Sequence, residues 1–244
     1  MATRPTRPPR STREYYDEFA GWYERKRAHG YHALVDRLEA DLACRYARGG
    51  DALEAGCGTG LILRRVAEVA RSAQGIDLSR GMLALAADRR LRVAQGDLGA
   101  LPFPDARFDL VYSFKVLAHV QPIQRALAEL ARVTRPGGHL LLEFYNAWSL
   151  RHLVRRLRPG LAISEHTHDR EVYTRYDRLA DVRRWLPPEV EVIGLRGVRV
   201  LSPLPHLHGL PVTGPIMGAL ERWAADMPGL RRFGGFLIVI AKKR

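Results

Sequence analysis

The sequence predicts an α/β fold, and three observations lead to that expectation. Apolar, strand-like stretches alternate with helix-period stretches between residues 51 and 145, which is the pattern of successive βαβ units. A glycine-rich turn at residues 56–60 joins the first of these strands to a helix. With 244 residues, 46% of them hydrophobic, the chain suits one domain with a sizeable core. We therefore expect a mostly parallel, Rossmann-like sheet with helices on both faces.

Two helices are predicted before the first strand, between residues 12 and 46. The first carries aromatic residues at helical spacing, namely Tyr15, Phe19, Trp22 and Tyr23. The second carries the apolar residues Leu34, Val35, Leu38 and Leu42, and Gly49-Gly50 ends it. The aromatic helix either covers a ligand as a lid, with Tyr15 and Tyr23 presenting hydroxyls to it, or packs as an ordinary amphipathic helix.

The predicted parallel strands are residues 51–55, 73–76, 91–95, 108–114 and 139–144. Helices are expected at residues 61–70, at 79–89 with Ser79 as N-cap, and at 123–133. Residues 101–105 contain two prolines and predict a loop, and Pro136-Gly137-Gly138 predicts a turn.

The strand–helix rhythm breaks after Tyr145. Helices are expected at residues 177–185 and 216–225, and strands at 189–201 and 233–241. We divide the chain into an N-terminal tail with lid helices, residues 1–48, and a main domain, residues 49–244. Substrate-cap insertions are expected at about residues 146–176 and 202–230 of that domain.

Composition limits the function and the compartment. The net charge is +13, which fits either a solvated basic surface or an anionic substrate, nucleic acid or acidic membrane. Arg4, Arg7, Arg10 and Arg13 lie in a stretch that predicts a disordered tail. No apolar run is long enough for a membrane span, and two cysteines provide neither a disulfide framework nor a metal site. We expect a cytoplasmic protein without a metal.

The glycine turn, in the stretch Leu53-Glu-Ala-Gly-Cys-Gly-Thr-Gly60, is suited to a ligand that approaches the backbone closely. The Lys-Ser/Thr pair of a nucleoside-triphosphate loop is absent. A dinucleotide loop would have a third glycine where Leu61 stands, and Glu54 would repel its diphosphate. Negative charge at Glu54 suits the methionine ammonium of S-adenosylmethionine instead.

Two further acids follow the ends of the next two strands. Asp77 stands where an acid accepts hydrogen bonds from ribose hydroxyls in Rossmann-type sheets, and Asp97 can accept one from an adenine amino group, with Leu98 against the ring. Read alone, Asp77 could be a helix cap and Asp97 a turn residue. Together with Glu54 they converge on one crevice at the carboxyl edge of the sheet.

These motifs resemble the class I S-adenosylmethionine-dependent methyltransferases, in particular the small-molecule branch that contains ubiquinone and menaquinone methyltransferases. The resemblance covers about residues 50–145 and includes Gly75-Ile-Asp-Leu-Ser79, Phe108-Asp-Leu-Val-Tyr-Ser113 and Leu117-Ala-His-Val120. It implies the sheet order 3-2-1-4-5-7-6 with strand 7 antiparallel. Lys115 departs from the family pattern near the methionine moiety.

The resemblance and the lid interpretation together give a set of predicted cofactor contacts: Tyr15, Tyr23, Glu54, Gly56, Cys57, Gly58, Asp77, Leu78, Met82, Asp97, Leu98 and Ser113. Methyl transfer needs a base only when the acceptor must lose a proton. We name His119 and Tyr145 as candidate catalytic residues, with the alternative that His119 packs beneath the cofactor.

The sequence says less about the part of the site that would bind the methyl acceptor. Residues 148–158 predict a basic amphipathic helix that either caps the substrate cavity or contacts a membrane surface, and residues 201–215 would form a second wall. We predict methyl transfer to a small, hydrophobic or lipid-like acceptor by a monomer or homodimer, without a nucleic-acid partner. The alternatives are an RNA-modifying methyltransferase and a non-catalytic cofactor-binding partner protein.

Overall fold

A seven-stranded sheet lies at the centre of the computed structural model, in the order β3-β2-β1-β4-β5-β7-β6. The structure describes residues 12–24, 27, 30–149, 152, 173–201 and 213–244. The strands are β1 (Asp51–Ala55), β2 (Ser72–Asp77), β3 (Val93–Gln95), β4 (Phe108–Ser113), β5 (Thr134–Tyr145), β6 (Val190–Val198) and β7 (Phe236–Lys243).

Strands β1 to β5 pair in parallel, whereas β7 pairs antiparallel with both β5 and β6. The α/β class, the sheet order and the antiparallel seventh strand are therefore confirmed. Parallel pairing brings the carboxyl ends of β1, β2, β3 and β4 to one edge of the sheet, where ligand sites of such folds are formed.

Helices cover both faces of this sheet. They are α1 (Thr12–Tyr23), α2 (Gly30–Ala47), α3 (Leu61–Ala67), α4 (Arg80–Asp88), α5 (Ile123–Val133), α6 (Leu179–Trp185) and α7 (Thr213–Asp226). Alternate residues of each strand face opposite layers, because side chains along a strand point to opposite sides. Leu53 and Val111 thus pack with α5, and Leu110 and Tyr112 pack with α2 and α3.

The prediction of a turn at Pro136–Gly138 was wrong, because these residues lie inside β5, which runs from Thr134 to Tyr145. The pairing with β4 shifts register between Phe108 and Leu110, and Gly137 has a φ of 78°. Residues 135–138 have no partner on β4, and the pairing resumes at His139. The glycine and proline pattern therefore marks a kink inside β5.

Several predicted features lie outside the described residues. These are the tail before residue 12, nearly all of the predicted helix at residues 148–158, and residues 202–212 of the second wall. The division at residues 48 and 49 stays a prediction. In the ranges that the structure describes, no helix is long and apolar enough to cross a bilayer.

Candidate active site

The turn after β1 has a backbone that only glycines adopt without strain. Gly56, Gly58 and Gly60 have φ values of 84°, 53° and 80°, all in the left-handed region. A Cβ atom on Gly56 would lie 2.2 Å from a methyl group of Val116, and one on Gly60 would lie 2.4 Å from Leu91. No described atom lies within 4 Å of the Cβ position at Gly58. The middle of the turn is therefore the part that is open to a ligand.

Asp77 ties this turn to the end of β2. The Gly58 N–H donates to Asp77 Oδ2 at 2.8 Å, and the Ser79 N–H donates to Asp77 Oδ1 at 2.9 Å. Ser79 caps α4 by accepting a hydrogen bond from the Met82 N–H, as the sequence predicted. Burial raises the pKa of Asp77 despite these donors. The carboxylate is thus fixed in orientation beside the open glycine.

Glu54 lies one strand away, almost fully buried at the end of β1. Its Oε2 accepts a hydrogen bond from the Tyr112 hydroxyl at 3.3 Å, and burial raises the pKa of its carboxyl well above the usual range. Ser113 is also buried, and its hydroxyl donates to the Ala55 carbonyl oxygen at 2.7 Å. A cation beside Glu54 would lower its pKa, so the site is electrostatically suited to an ammonium group.

Cys57 fills the space that a side chain at residue 75 would occupy. A Cβ atom on Gly75 would lie 2.6 Å from the Cys57 sulfur. Burial raises the pKa of the Cys57 thiol well above its ordinary value. The small residues at these two positions let the turn pack directly on β2.

The remaining predicted contacts differ in accessibility. Leu78 is 36% exposed, and Asp97 is exposed at the end of β3 while its Oδ1 accepts a hydrogen bond from the Gly99 N–H. Met82 and Leu98 are buried, with exposures of 2% and 5%. The structure therefore gathers the three acids and Leu78 at one sheet edge, whereas Met82 and Leu98 lie mainly within the core.

Helix α1 docks on the start of α4 through a residue that the sequence analysis missed. Asp17 Oδ1 accepts hydrogen bonds from the Ser79 hydroxyl at 2.6 Å and the Gly81 N–H at 2.9 Å. The aromatic stripe contacts itself, with Tyr15 stacked on Phe19 at 5.7 Å between ring centroids. Tyr23 lies beneath the Arg27 guanidinium, 4.1 Å from the ring centroid. The helix is thus fixed to the start of α4, just after the end of β2, and its role as a lid stays a prediction.

His119 and Tyr145 are neighbours, with ring centroids 5.6 Å apart, and Tyr16 of α1 lies 6.2 Å from His119. His119 Nδ1 is 2.8 Å from the Tyr173 carbonyl oxygen, which can only accept, so Nδ1 carries the proton in this contact. Nε2 is then the basic nitrogen. Burial raises the pKa of the Tyr145 hydroxyl, which stays protonated at neutral pH. The pair can supply one acceptor and one donor.

Lys115, the departure from the family pattern, pairs with two acids on α2. Its Nζ lies 2.7 Å from Asp36 and 2.6 Å from Glu39. The sequence did not point to these two acids, because a position in a helix gives no indication of a partner so distant in the chain. A lysine placed directly after β4 was the one available indication of a buried acid nearby.

The geometry fits S-adenosylmethionine on three counts. Gly58 leaves space against the backbone, Asp77 offers oriented carboxylate oxygens to hydroxyl groups, and Glu54 can balance an ammonium. Within the described part of the chain, no group of three or more His, Cys, Asp or Glu side chains could hold a metal ion.

Comparison with known proteins agrees with this geometry. Residues 53–142 match the family described as "Methyltransferase domain". A malonyl-[acyl-carrier protein] O-methyltransferase of Serratia marcescens is 36% identical over 135 residues, which are 52% of this chain and 53% of that protein. A demethylmenaquinone methyltransferase of Tropheryma whipplei is 39% identical over 101 residues, 38% of this chain and 41% of that protein. The chain thus spans about half the length of these relatives, or less.

A solved structure of an S-adenosylmethionine-dependent methyltransferase from Thermotoga maritima matches with a TM-score of 0.65 and 17% identity. The match covers 95% of this chain and 99% of that one, which shows a shared fold. Residues 53–142 therefore match a methyltransferase domain, and the chain shares the fold of that S-adenosylmethionine-dependent methyltransferase.

Proposed function

We propose that this protein transfers a methyl group from S-adenosylmethionine to a small, hydrophobic or lipid-like acceptor. The observation that carries the proposal is the open backbone at Gly58 directly beside the oriented carboxylate of Asp77. A ligand with a ribose can lie there only if no side chain projects from the turn. When bound, the cofactor supplies the electrophilic methyl group.

The protein's residues would bind and orient the two reactants. Asp77 would accept the ribose hydroxyls, Asp97 the adenine amino group, and Glu54 the methionine ammonium. The adenine would lie against the exposed Leu78 and not, as the sequence suggested, against Leu98, which is buried. Gly56 and Cys57 would shape the turn, while Ser113, Met82 and Leu98 would support it from below. Tyr15 and Tyr23 would cover the site from α1. These roles follow from position at the carboxyl edge of the sheet.

The acceptor would lie near His119 and Tyr145. The ring of Tyr145 also contacts Tyr176 and Phe236, so this region has aromatic walls suited to an apolar molecule. His119 would take a proton from the acceptor, and Tyr145 would donate a hydrogen bond to it. Relatives named for malonyl-[acyl-carrier protein] and demethylmenaquinone support a small-molecule acceptor. A peripheral membrane contact through residues 148–158 would deliver a lipid-like acceptor, and Trp148 is 65% exposed.

The test compares two glycines with the same backbone conformation. Gly58→Ala and Gly49→Ala both place a side chain in the left-handed region, and at both positions the Cβ has no described atom within 4 Å. Each should lower the free energy of unfolding by about 1 kcal/mol. Only Gly58→Ala should weaken S-adenosylhomocysteine binding, measured by calorimetry, because only its methyl group occupies the ligand's space. Equal binding by the two variants would refute the cofactor site.

An RNA-modifying methyltransferase is the second candidate, and the net charge of +13 favours it. Salt-dependent binding of tRNA or ribosomal RNA fragments would support this candidate over the small-molecule acceptor. If S-adenosylhomocysteine binds but neither apolar small molecules nor RNA is methylated, the protein acts as a non-catalytic cofactor-binding partner. A cytoplasmic location and a monomer or homodimer complete the proposal.

A further inference from the structure

A buried ionic network joins α2 to the ends of β4 and β5. Lys115 Nζ contacts Asp36 at 2.7 Å and Glu39 at 2.6 Å, and Arg27 contacts Asp36 at 2.8 Å. Glu143, at the end of β5, accepts a hydrogen bond from the Lys115 N–H at 3.1 Å. Glu39 and Glu143 are 0% and 1% exposed, so both carboxyl groups are removed from water.

Each glutamate has one oxygen that no described group satisfies. Glu39 Oε2 faces Lys115 and Glu143 Oε1 faces the Lys115 N–H, but Glu39 Oε1 and Glu143 Oε2 are buried without a donor from the described residues. Both carboxyl groups contact Lys115, and burial, followed by the charge and hydrogen bonding of Glu39, raises the pKa of the Glu143 carboxyl. Two buried acceptors in contact are stable only if a proton lies between them, because like charges repel strongly at such positions.

Charge balance leads to the same proton count. The network contains two cations, Arg27 and Lys115, and three carboxyl groups, Asp36, Glu39 and Glu143. One proton on the three carboxyl groups makes the sum zero, which is the state that burial favours. Burial also raises the pKa of Glu39, and raises that of Glu143 well above the carboxyl range.

The network holds the chain that packs against the glycine turn. Lys115 has a φ of 62°, a conformation that a lysine rarely adopts unless its surroundings impose it. The next residue, Val116, fills the space against Gly56, where an added Cβ would lie 2.2 Å from its methyl group. Glu143 therefore fixes the backbone of Lys115, and that backbone positions Val116 on the turn.

We propose that Glu39, Glu143 and Lys115 are positioning residues, in which a proton shared by the two glutamates fastens α2 to the ends of β4 and β5 and keeps residues 113–116 against the glycine turn. This inference rests on the proposed function. Loss of the shared proton would place two carboxylates in contact and push α2 and β5 apart. Cofactor affinity should then fall as the pH rises.

Other titratable and charged groups face the pair from the elements around it. The network itself contributes Arg27, Asp36 and Lys115, and the neighbouring elements contribute Tyr23, Glu54 and Tyr145. The experiment therefore compares variants of the pair at each pH, so that the titration of these other groups, and of the ligand, cancels.

The test measures S-adenosylhomocysteine binding by calorimetry from about pH 5 to pH 9, a range that spans raised carboxyl pKa values. Glu143→Gln mimics the protonated pair permanently, because its amide N–H₂ can donate to Glu39 Oε1 while its oxygen accepts from the Lys115 N–H. Glu39→Gln does the same from the other side and replaces the first variant if that one fails to fold. Glu143→Leu removes both interactions.

Across this range, the affinity of the wild type should fall about tenfold more than that of either glutamine variant. A fall of this size is expected if ligand binding raises the pKa of the shared proton by about one. Glu143→Leu should bind about tenfold more weakly than Glu143→Gln at every pH. Identical pH profiles for wild type and both glutamine variants would overturn the shared proton, and equal binding by Glu143→Gln and Glu143→Leu would overturn the positioning role. No binding by folded wild type at any pH would instead refute the proposed function itself, and the inference with it.

Discussion

The two edges of the sheet carry acids in opposite environments. At the amino edge, Asp51 accepts hydrogen bonds from Arg71, Arg107 and Arg135 at 2.6–3.0 Å, which lower the pKa of its carboxyl far below the usual range. At the carboxyl edge, Glu54 and Asp77 have no arginine partner among the described residues, and burial raises both pKa values.

This is the difference that we expect between a structural acid and an acid that binds a ligand. The charge of Asp51 is fully compensated within the protein, so a ligand could gain little from it. The acids of the carboxyl edge are desolvated but not neutralised, so a ligand that brings hydroxyl or ammonium donors relieves an existing cost. Variants at each edge should therefore separate binding from stability.

The largest effect is expected from Asp77→Ala at the carboxyl edge. It removes the acceptor for the ribose hydroxyls and releases the Gly58 N–H, so S-adenosylhomocysteine affinity should fall about 100-fold. Calorimetry measures the loss, and circular dichroism confirms that the variant is folded. Wild-type affinity in this variant would show that the acid does not face the ligand.

Asp51→Asn should have the reverse profile. The free energy of unfolding at neutral pH should fall by about 2 kcal/mol, while S-adenosylhomocysteine affinity is unchanged. The reason is that Arg107 loses its ion pair and that Arg71 and Arg135 keep only Asp109. The lowered pKa gives the sign of the pH dependence. The stabilisation is present above about pH 4 and is lost as the pH falls below it.

Denaturant unfolding at several pH values measures this effect. The variant should lack the part of the stability loss at acid pH that comes from protonation of Asp51 in the wild type. A change in ligand affinity in Asp51→Asn would mean that the two edges are not independent.

The smallest effect is expected from Glu54→Gln, which should change stability and ligand affinity in opposite directions at a single residue. Removing a buried ionisable group should raise the free energy of unfolding at neutral pH by about 1 kcal/mol, since the raised pKa shows that the ionised form is costly. Ligand affinity should fall about tenfold, because an amide cannot balance the methionine ammonium. A variant that is both less stable and equally able to bind would contradict this assignment.

The sheet and the acids at its carboxyl edge could be predicted because their determinants are local. Strand length, the glycine turn and the acids after successive strands each occupy a few consecutive residues, and the strand–helix rhythm fixes the rest. The kink at Gly137 was predicted as a turn because the same residue pattern serves both structures. Only the pairing of the whole strand distinguishes them.

The contacts that complete the site could not be predicted, because they join residues far apart in the chain. Asp17 and Ser79 are 62 residues apart, and Lys115 and Glu39 are 76 residues apart. Each partner alone resembles a surface residue of an amphipathic helix or a strand end. Lys115 was noticed only as an unusual charge, since its acids lie on a helix whose pattern indicates packing alone.

The fit between Cys57 and Gly75 has a consequence for chemical reactivity. Oxidation and alkylation both require the thiolate, and the raised pKa of Cys57 keeps its sulfur in the thiol form. The sulfur occupies the space that Gly75 leaves open, so it packs directly on β2. The glycine turn therefore contains a thiol that burial makes less reactive than that of an exposed cysteine.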